Sequence, residues 1–389
     1  MFINTNFIDD KRQVGDINSD SFIKTILESN EIQEINTIFT DLVYNKEIKA
    51  DEMPKYFKDF FVEYSSMPDF YDQSKIELAQ DCFKRFGPSI IIAYFCKSLP
   101  ECYACGKGSE VLIQTKRLTN HTRRRIAQTA QFVIDVMSPN GLTNEGRGLA
   151  TSLKIRLIHS SIRYYFVKSV ESNRIQYDIP QNGVPINQID LLGTMLAFSV
   201  VVVQGLEGLG IKLTNEEKEA ILHLWKCVGF LIGIETELMP NDYAEAETLW
   251  KIITTTQDNF KPTIAGTILN NDLIELLDNL IPLKFLDNIV LLLMNKLIDN
   301  RAKEALSLQS NKDKNIFALL SYLFTIGFLN FESEGPVSRF FTNFINLRLM
   351  NELKNYVSEG EEVAILIPPG LQKDWDSSNS IFNVFKGKS

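Results

Sequence analysis

The chain has 389 residues, a formal net charge of -9, 44% hydrophobic and 23% charged residues. This is an ordinary globular composition with apolar content for a sizeable core, and the acidic balance, with Arg123–Arg125 as the longest basic run, excludes a nucleic-acid binder of the usual basic kind. Five cysteines, odd in number and thinly spread, set no disulfide framework, and the N-terminus MFINTNFIDDKRQVGD has no apolar stretch of signal-peptide type, so a reducing, cytoplasmic setting is expected.

Residues 1–20 read as a loose polar lead. Residues 21–65 carry amphipathic helix patterns punctuated by Pro54, Pro68 and Pro88, and residues 1–70 together are expected to form an N-terminal helical extension. From residue 72, DQSKIELAQDCFKRFG reads as a helix ending at Gly87, with PSIIIAYFCKSL opening the next. Ser109 is placed to open a helix, with Glu110 in its first turn, where a carboxylate is favoured. The stretch containing Arg125, Thr129 and Phe132 at helical spacing ends at Ser138-Pro139-Asn140-Gly141, and a loop runs from Gly141 to Gly148.

Residues 147–169, RGLATSLKIRLIHSSIRYYFVKS, predict the next helix, since Leu149, Leu153, Leu157 and Ile158 repeat near the helical period. A polar connection over 171–188 precedes the most lipid-like run, IDLLGTMLAFSVVVVQGLEGLG at 189–210. Asp190, Gln204 and Glu207 confine its apolar part to less than the roughly 18–20 residues a membrane span needs, so it reads as a buried helix. Thr214 to Glu217 is a capping box, and Asp242 to Glu245 caps a helix through Ile252. Further apolar helices follow from about 271 to 357, and the tail from 366 has little periodicity. The expectation is an all-α fold, a single large helical domain with its core over 71–365 and a tail over 366–389.

Of three histidines, His159 has the setting for chemistry. Arg156 and Arg163 stand three and four positions from it, hence near its helix face. A neutral imidazole can ligate iron, and two guanidiniums can pair with carboxylates such as haem propionates. The other reading is a structural histidine between two arginines that reach solvent. His223, beside Trp225, reads as a core or interface histidine, and His121 as a solvated helix start. Cys102 and Cys105 form a CxxC with neither the βαβ context of a redox motif nor the second pair of a zinc ribbon, so they read as ordinary thiols. GKGSE at 106–110 and GLGIK at 208–212 complete no phosphate-loop pattern and read as helix ends. A GxSxG nucleophile elbow is absent from the sequence.

Three stretches in order, RRIAQTAQFVIDVM (124–137), KIRLIHSSIRYYF (154–166) and GVPINQIDLLGTMLAFSVVVVQGLEGLGIKLTNEEKEAILHLWKCVGFLIGI (183–234), resemble the MpaB-like and latex-clearing-protein (rubber oxygenase) haem family over about residues 85–255. The resemblance implies an all-α fold with a globin-like core holding b-type haem, with His159 as the proximal, metal-ligating residue and Arg156 and Arg163 beside the cofactor. The family's distal Arg-x-x-Lys-Thr segment falls on Arg125, Gln128 and Thr129. Gln128 stands where latex-clearing proteins carry a lysine that can cap the iron, so a five-coordinate or water-bound haem is expected at rest. The family's catalytic glutamate falls near Glu110. The implied activity is dioxygen-dependent cleavage of a carbon–carbon double bond in a lipophilic, isoprenoid-like substrate, with peripheral rather than transmembrane contact with lipid. The alternatives are a non-catalytic haem or lipid binder and a helical interaction protein without cofactor.

Overall fold

Polar residues at fixed offsets start the helices. In a computed structural model, which describes residues 5–28, 55–119, 122–256, 259–280, 289–308 and the short pieces 357–358 and 361–362, side-chain oxygens of Asp16, Asp72, Asn187 and Asp242 each accept a backbone N–H in the first turn of the helix they precede. Thr214 and Glu217 close the reciprocal capping box. Each cap satisfies a donor the helix cannot satisfy itself and is worth about 1 kcal/mol.

In chain order these helices are α1 (Thr5–Arg12), α2 (Ile17–Leu27), α3 (Lys55–Tyr64), α4 (Gln73–Ala93), α5 (Leu99–Ala104), α6 (Gly106–Thr119), α7 (Thr122–Met137), α8 (Arg147–Glu171), α9 (Ile179–Asn182), α10 (Gln188–Leu196), α11 (Val202–Gly208), α12 (Asn215–Leu231), α13 (Tyr243–Thr255), α14 (Ile264–Leu280), α15 (Ile289–Leu297) and α16 (Asn300–Ala305). Among the described residues, strand structure is one two-residue pairing, Val357–Ser358 with Glu361–Glu362, and an isolated bridge between Cys105 and Phe260. The fold class is all-α. The expected tail from 366, most of the segment after 308, and His121 lie outside the described residues.

The N-terminus is not a loose lead. Helices α1 and α2 pack on α10 and α8, with Ile8, Ser19 and Ile23 fully buried. The polarity of this stretch hid the contact, because Arg12 and Asp16 pair inside the protein and Asp20, half-buried, pairs with the buried Arg163. Helix α4 does not end at Gly87. It continues through Pro88 to Ala93, although proline removes one bond of the ladder. Its buried residues, among them Ile76, Phe83 and Ile90, lie on both sides of the proline, and α4 packs along α12. Tertiary packing holds what local propensity would break. The helix expected at Ser109 begins at Gly106; Ser109 is in its first turn and donates its hydroxyl hydrogen to the Tyr103 carbonyl at 2.5 Å.

Two π-helical turns, Tyr94–Ser98 and Ala197–Val201, face each other in the core. A π turn widens the helix and leaves carbonyls short of partners. Ser98 donates to the Ala197 carbonyl at 2.7 Å and the Tyr94 hydroxyl to the Phe198 carbonyl at 2.9 Å. The apolar run over Gln188–Gly208 is thus one helix widened in the middle, and 78% of its most apolar window is buried inside the protein, as a core helix requires. It crosses α4 closely: a Cβ on Gly205 would stand 2.8 Å from the Ala93 Cβ.

Candidate functional site

Helix α8 has two working flanks. At about 100° per residue, positions 155 and 162 fall on one side of His159 and positions 156 and 163 on the other. The second flank is committed to the N-terminal helices. Arg156 binds Asp16 through Nε (2.5 Å) and NH2 (3.0 Å) and lies over the Tyr64 ring at 4.4 Å. Arg163 binds Asp20 through Nε at 2.8 Å, the Ile186 carbonyl through NH1 at 2.9 Å and Ser160 Oγ through NH2 at 2.8 Å. Neither arginine lines the cavity that His159 borders; Arg156 instead borders a separate space of about 410 Å³ beside Asp16 and Tyr64, and both guanidiniums are already paired with carboxylates.

The first flank, Thr151, Lys154, Ile155, Ile158 and Ile162, with His159 itself, forms one wall of a largely apolar cavity of about 420 Å³. That volume is within the range of small-molecule and cofactor sites, about 300–1,000 Å³. Helix α7 supplies the facing wall through Arg125, Gln128, Thr129 and Phe132, one stripe at helical spacing. Helices α10, α12 and α13 close the sides with Ile189, Met195, Trp225, Val228, Trp250 and Ile253. Phe132 and Phe198 stand edge-on to Trp225 at 5.9 and 5.0 Å between centroids.

His159 is neutral here. Burial pushes its pKa down to about 3, and the Arg163 and Arg125 charges add to the effect. Its Nδ1 is buried without a hydrogen-bond partner, so packing rather than a hydrogen-bond acceptor at Nδ1 orients the ring. Burial also lowers the Arg125 pKa from its usual value, and Arg125 NH1 donates to the Leu112 carbonyl at 3.1 Å. Thr129 donates its hydroxyl hydrogen to the Arg125 carbonyl at 2.9 Å, which leaves its oxygen lone pairs, not its proton, for a ligand. Glu110 is not on the cavity wall; its Oε1 accepts from Gln114 at 2.8 Å.

The cavity carboxylate is Asp190. Arg12 NH1 donates to Asp190 Oδ1 at 3.2 Å and Arg12 NH2 to Asn259 Oδ1 at 3.1 Å, and all three residues line the cavity. Burial raises the Asp190 pKa, opposed by the Arg12 charge. Just before it, Ile186 has φ of +52°, a conformation that strains a β-branched residue by about 1–3 kcal/mol. Sequence reasoning missed Arg12 and Asn259, for which no local signal exists. Asp190 was visible as the lone acid inside an apolar run.

His223 is structural, as its apolar surroundings suggested. Its Nε2 accepts the Asp72 backbone N–H at 3.0 Å, tying α12 to the start of α4. Cys102 and Cys105 are free thiols on the cavity wall; burial pushes the Cys102 thiol up to about 12, so it is unreactive at neutral pH.

The described residues thus form an all-α fold in which a neutral histidine borders a largely apolar cavity. Residues 104–325, more than half of the chain, match the family model for "ER-bound oxygenase mpaB/B'/Rubber oxygenase, catalytic domain", and the chain belongs to this family. It is 20% identical over 231 residues to the rubber oxygenase of Streptomyces sp. (strain K30), covering 59% of this chain and 56% of that protein; the chain matches just over half the length of that relative. Its fold matches the structure of latex clearing protein LCP in the closed state with a TM-score of 0.72 at 19% identity, over 92% of this chain and 95% of the other.

Proposed function

We propose that the protein is a haem b-dependent oxygenase that cleaves a carbon–carbon double bond in a lipophilic, isoprenoid-type substrate, with a globin-like arrangement of helices around the cofactor. The observation that carries this reading is the neutral His159 imidazole on the wall of the apolar cavity. Among the described residues no three His, Cys, Asp or Glu side chains converge on a common point, as a protein-only metal site would need. Haem needs one axial protein donor and an apolar slot, and the residues present fit that requirement.

His159 would hold the iron. Bound haem would supply the redox chemistry by which dioxygen is used, both its atoms ending in two carbonyl products. The protein's own contribution is binding and exclusion. The apolar side chains of α8, α10 and α12 exclude water, Arg125 keeps a fixed positive charge on the facing wall, and Thr129 offers a hydrogen-bond acceptor beside it. Glu110, committed to Gln114, does not fill the role of a base in this conformation.

Haem-supplemented expression followed by a pyridine haemochrome assay tests the reading. Wild type is expected to carry one b-type haem and His159→Ala to lose it while keeping its helical circular dichroism. Unchanged haem content in the variant would refute the ligand assignment. The second reading, a non-catalytic haem or lipid binder, is favoured by Gln128 at the family's lysine position; dioxygen consumption with an added isoprenoid separates the two.

A further inference from the structure

The cavity is not apolar throughout. At one end the Asp190 carboxylate is built into its wall by three separate parts of the chain. Arg12 comes from α1, Asn187 from the turn before α10, and Asn259 from beyond α13. Arg12 NH1 occupies one lone pair of Oδ1, and Asn187 Nδ2 one lone pair of Oδ2 at 2.9 Å. The Asn187 backbone also hydrogen-bonds the carboxylate; a carboxylate has about four acceptor positions, so these contacts still leave about one open. The Asp190 side chain keeps 20% of its surface accessible, and Asp190 is one of the residues that line the cavity.

We propose that Asp190 is a recognition site for a hydroxyl group, and that the preferred ligand of the cavity is an amphiphilic isoprenoid alcohol, head at Asp190 and hydrocarbon chain running over Trp250, Ile253 and Ile189. The proposal rests on the oxygenase reading for the isoprenoid tail, and on the cavity wall alone for the hydroxyl head. The sign of the local charge selects the head group. Arg12 pairs directly with Asp190, and the other cation acting on that carboxylate, Lys107, donates to the Gln181 carbonyl and is not on the cavity wall, so a carboxylate or phosphate head meets a negative oxygen at the wall. A hydroxyl can donate to that oxygen in a charge-assisted bond. A hydrocarbon end covers the carboxylate without replacing the hydrogen bonds it loses, a desolvation cost with no return. The arrangement is also held against strain, since Ile186, in its left-handed conformation, sits one residue before the cap that fixes α10 and Asp190.

Calorimetric titration of the purified holoprotein with farnesol, its methyl ether and the corresponding hydrocarbon without oxygen tests this. Farnesol is expected to bind about tenfold more tightly than the other two. Asp190→Asn, which keeps the shape and removes the charge, is expected to shrink that gap to about twofold. Equal affinities in wild type overturn the proposal, as does a hydrocarbon that binds as tightly as the alcohol, which would mean that the ether is merely too large. A full tenfold gap retained by Asp190→Asn overturns it too. If the variant fails to fold, the three ligands on wild type still decide. Haem content of the same sample, read by pyridine haemochrome, reports separately on the oxygenase reading.

Discussion

Arg156 and Asp16, 140 positions apart, meet in a two-nitrogen ion pair in which both side chains are more than nine-tenths buried. The pair locks α2 onto the helix that carries His159, on the flank facing away from the cavity. A buried pair broken from one side leaves the other charge without solvent or partner, at a cost of about 3–5 kcal/mol. Arg156→Met should therefore lower the urea midpoint substantially. Haem content per folded molecule should be unaffected. A variant of wild-type stability that loses haem would instead make Arg156 a cofactor ligand.

Gln128 is on the cavity wall facing the His159 helix, and an amide is a far poorer iron ligand than an amine. Resting wild-type protein is expected to show a high-spin or water-bound haem spectrum and to bind carbon monoxide without a slow opening phase. Gln128→Lys should convert the spectrum to six-coordinate low-spin and introduce such a phase. A low-spin wild-type spectrum without added ligand would contradict the prediction.

The hydroxyls of Tyr94 and Ser98 satisfy carbonyls in the opposing π turn. Removing either leaves a buried carbonyl one partner short, at about 1–3 kcal/mol. Tyr94→Phe and Ser98→Ala should each lower the thermal midpoint. If both are neutral, other donors satisfy the π-turn carbonyls and the cross-bracing carries no stability.

Two buried histidines set an acid limb. Burial, with nearby cations, pushes His159 down to about 3 and His223 down to about 4, against about 6.5 in the unfolded chain. Between those values the unfolded chain binds protons that the folded chain refuses. Stability is fully present above pH 6.5 and falls as the pH drops through that window. His159→Leu and His223→Leu should each flatten the dependence of unfolding free energy on pH between about 6.5 and 4, measured on haem-free protein. A slope unchanged in both variants would place the acid sensitivity elsewhere.

Local signals were legible because their causes are local. Thr214 and Glu217 are three apart and cap each other; Asp242 caps its own helix; the stripe Arg125, Gln128, Thr129 and Phe132 follows from helical spacing and does face the cavity. What failed depended on distant partners. Pro88 reads as a break until α12 packs along α4. Arg156 and Arg163 share a helix with His159, yet spacing does not say which flank meets Asp16 and Asp20. Glu110 matched a family position approximately, while the acid on the wall proved to be Asp190, whose role needs Arg12 and Asn259 in place.

That last cluster bears on how the protein is made. Arg12 and Asn259 are 247 positions apart, and Leu269 of α14 also borders the cavity. The ribosome must release all of α13 and the start of α14 before the wall can form. At about 5–20 residues per second, the first helix waits on the order of ten seconds or more for its partners, with Arg12 and the apolar face around Ile8 exposed meanwhile. Any occupant of the finished cavity is accepted late, by a chain already largely synthesised, and a truncation short of residue 259 should yield a protein with the His159 helix but an incomplete cavity wall.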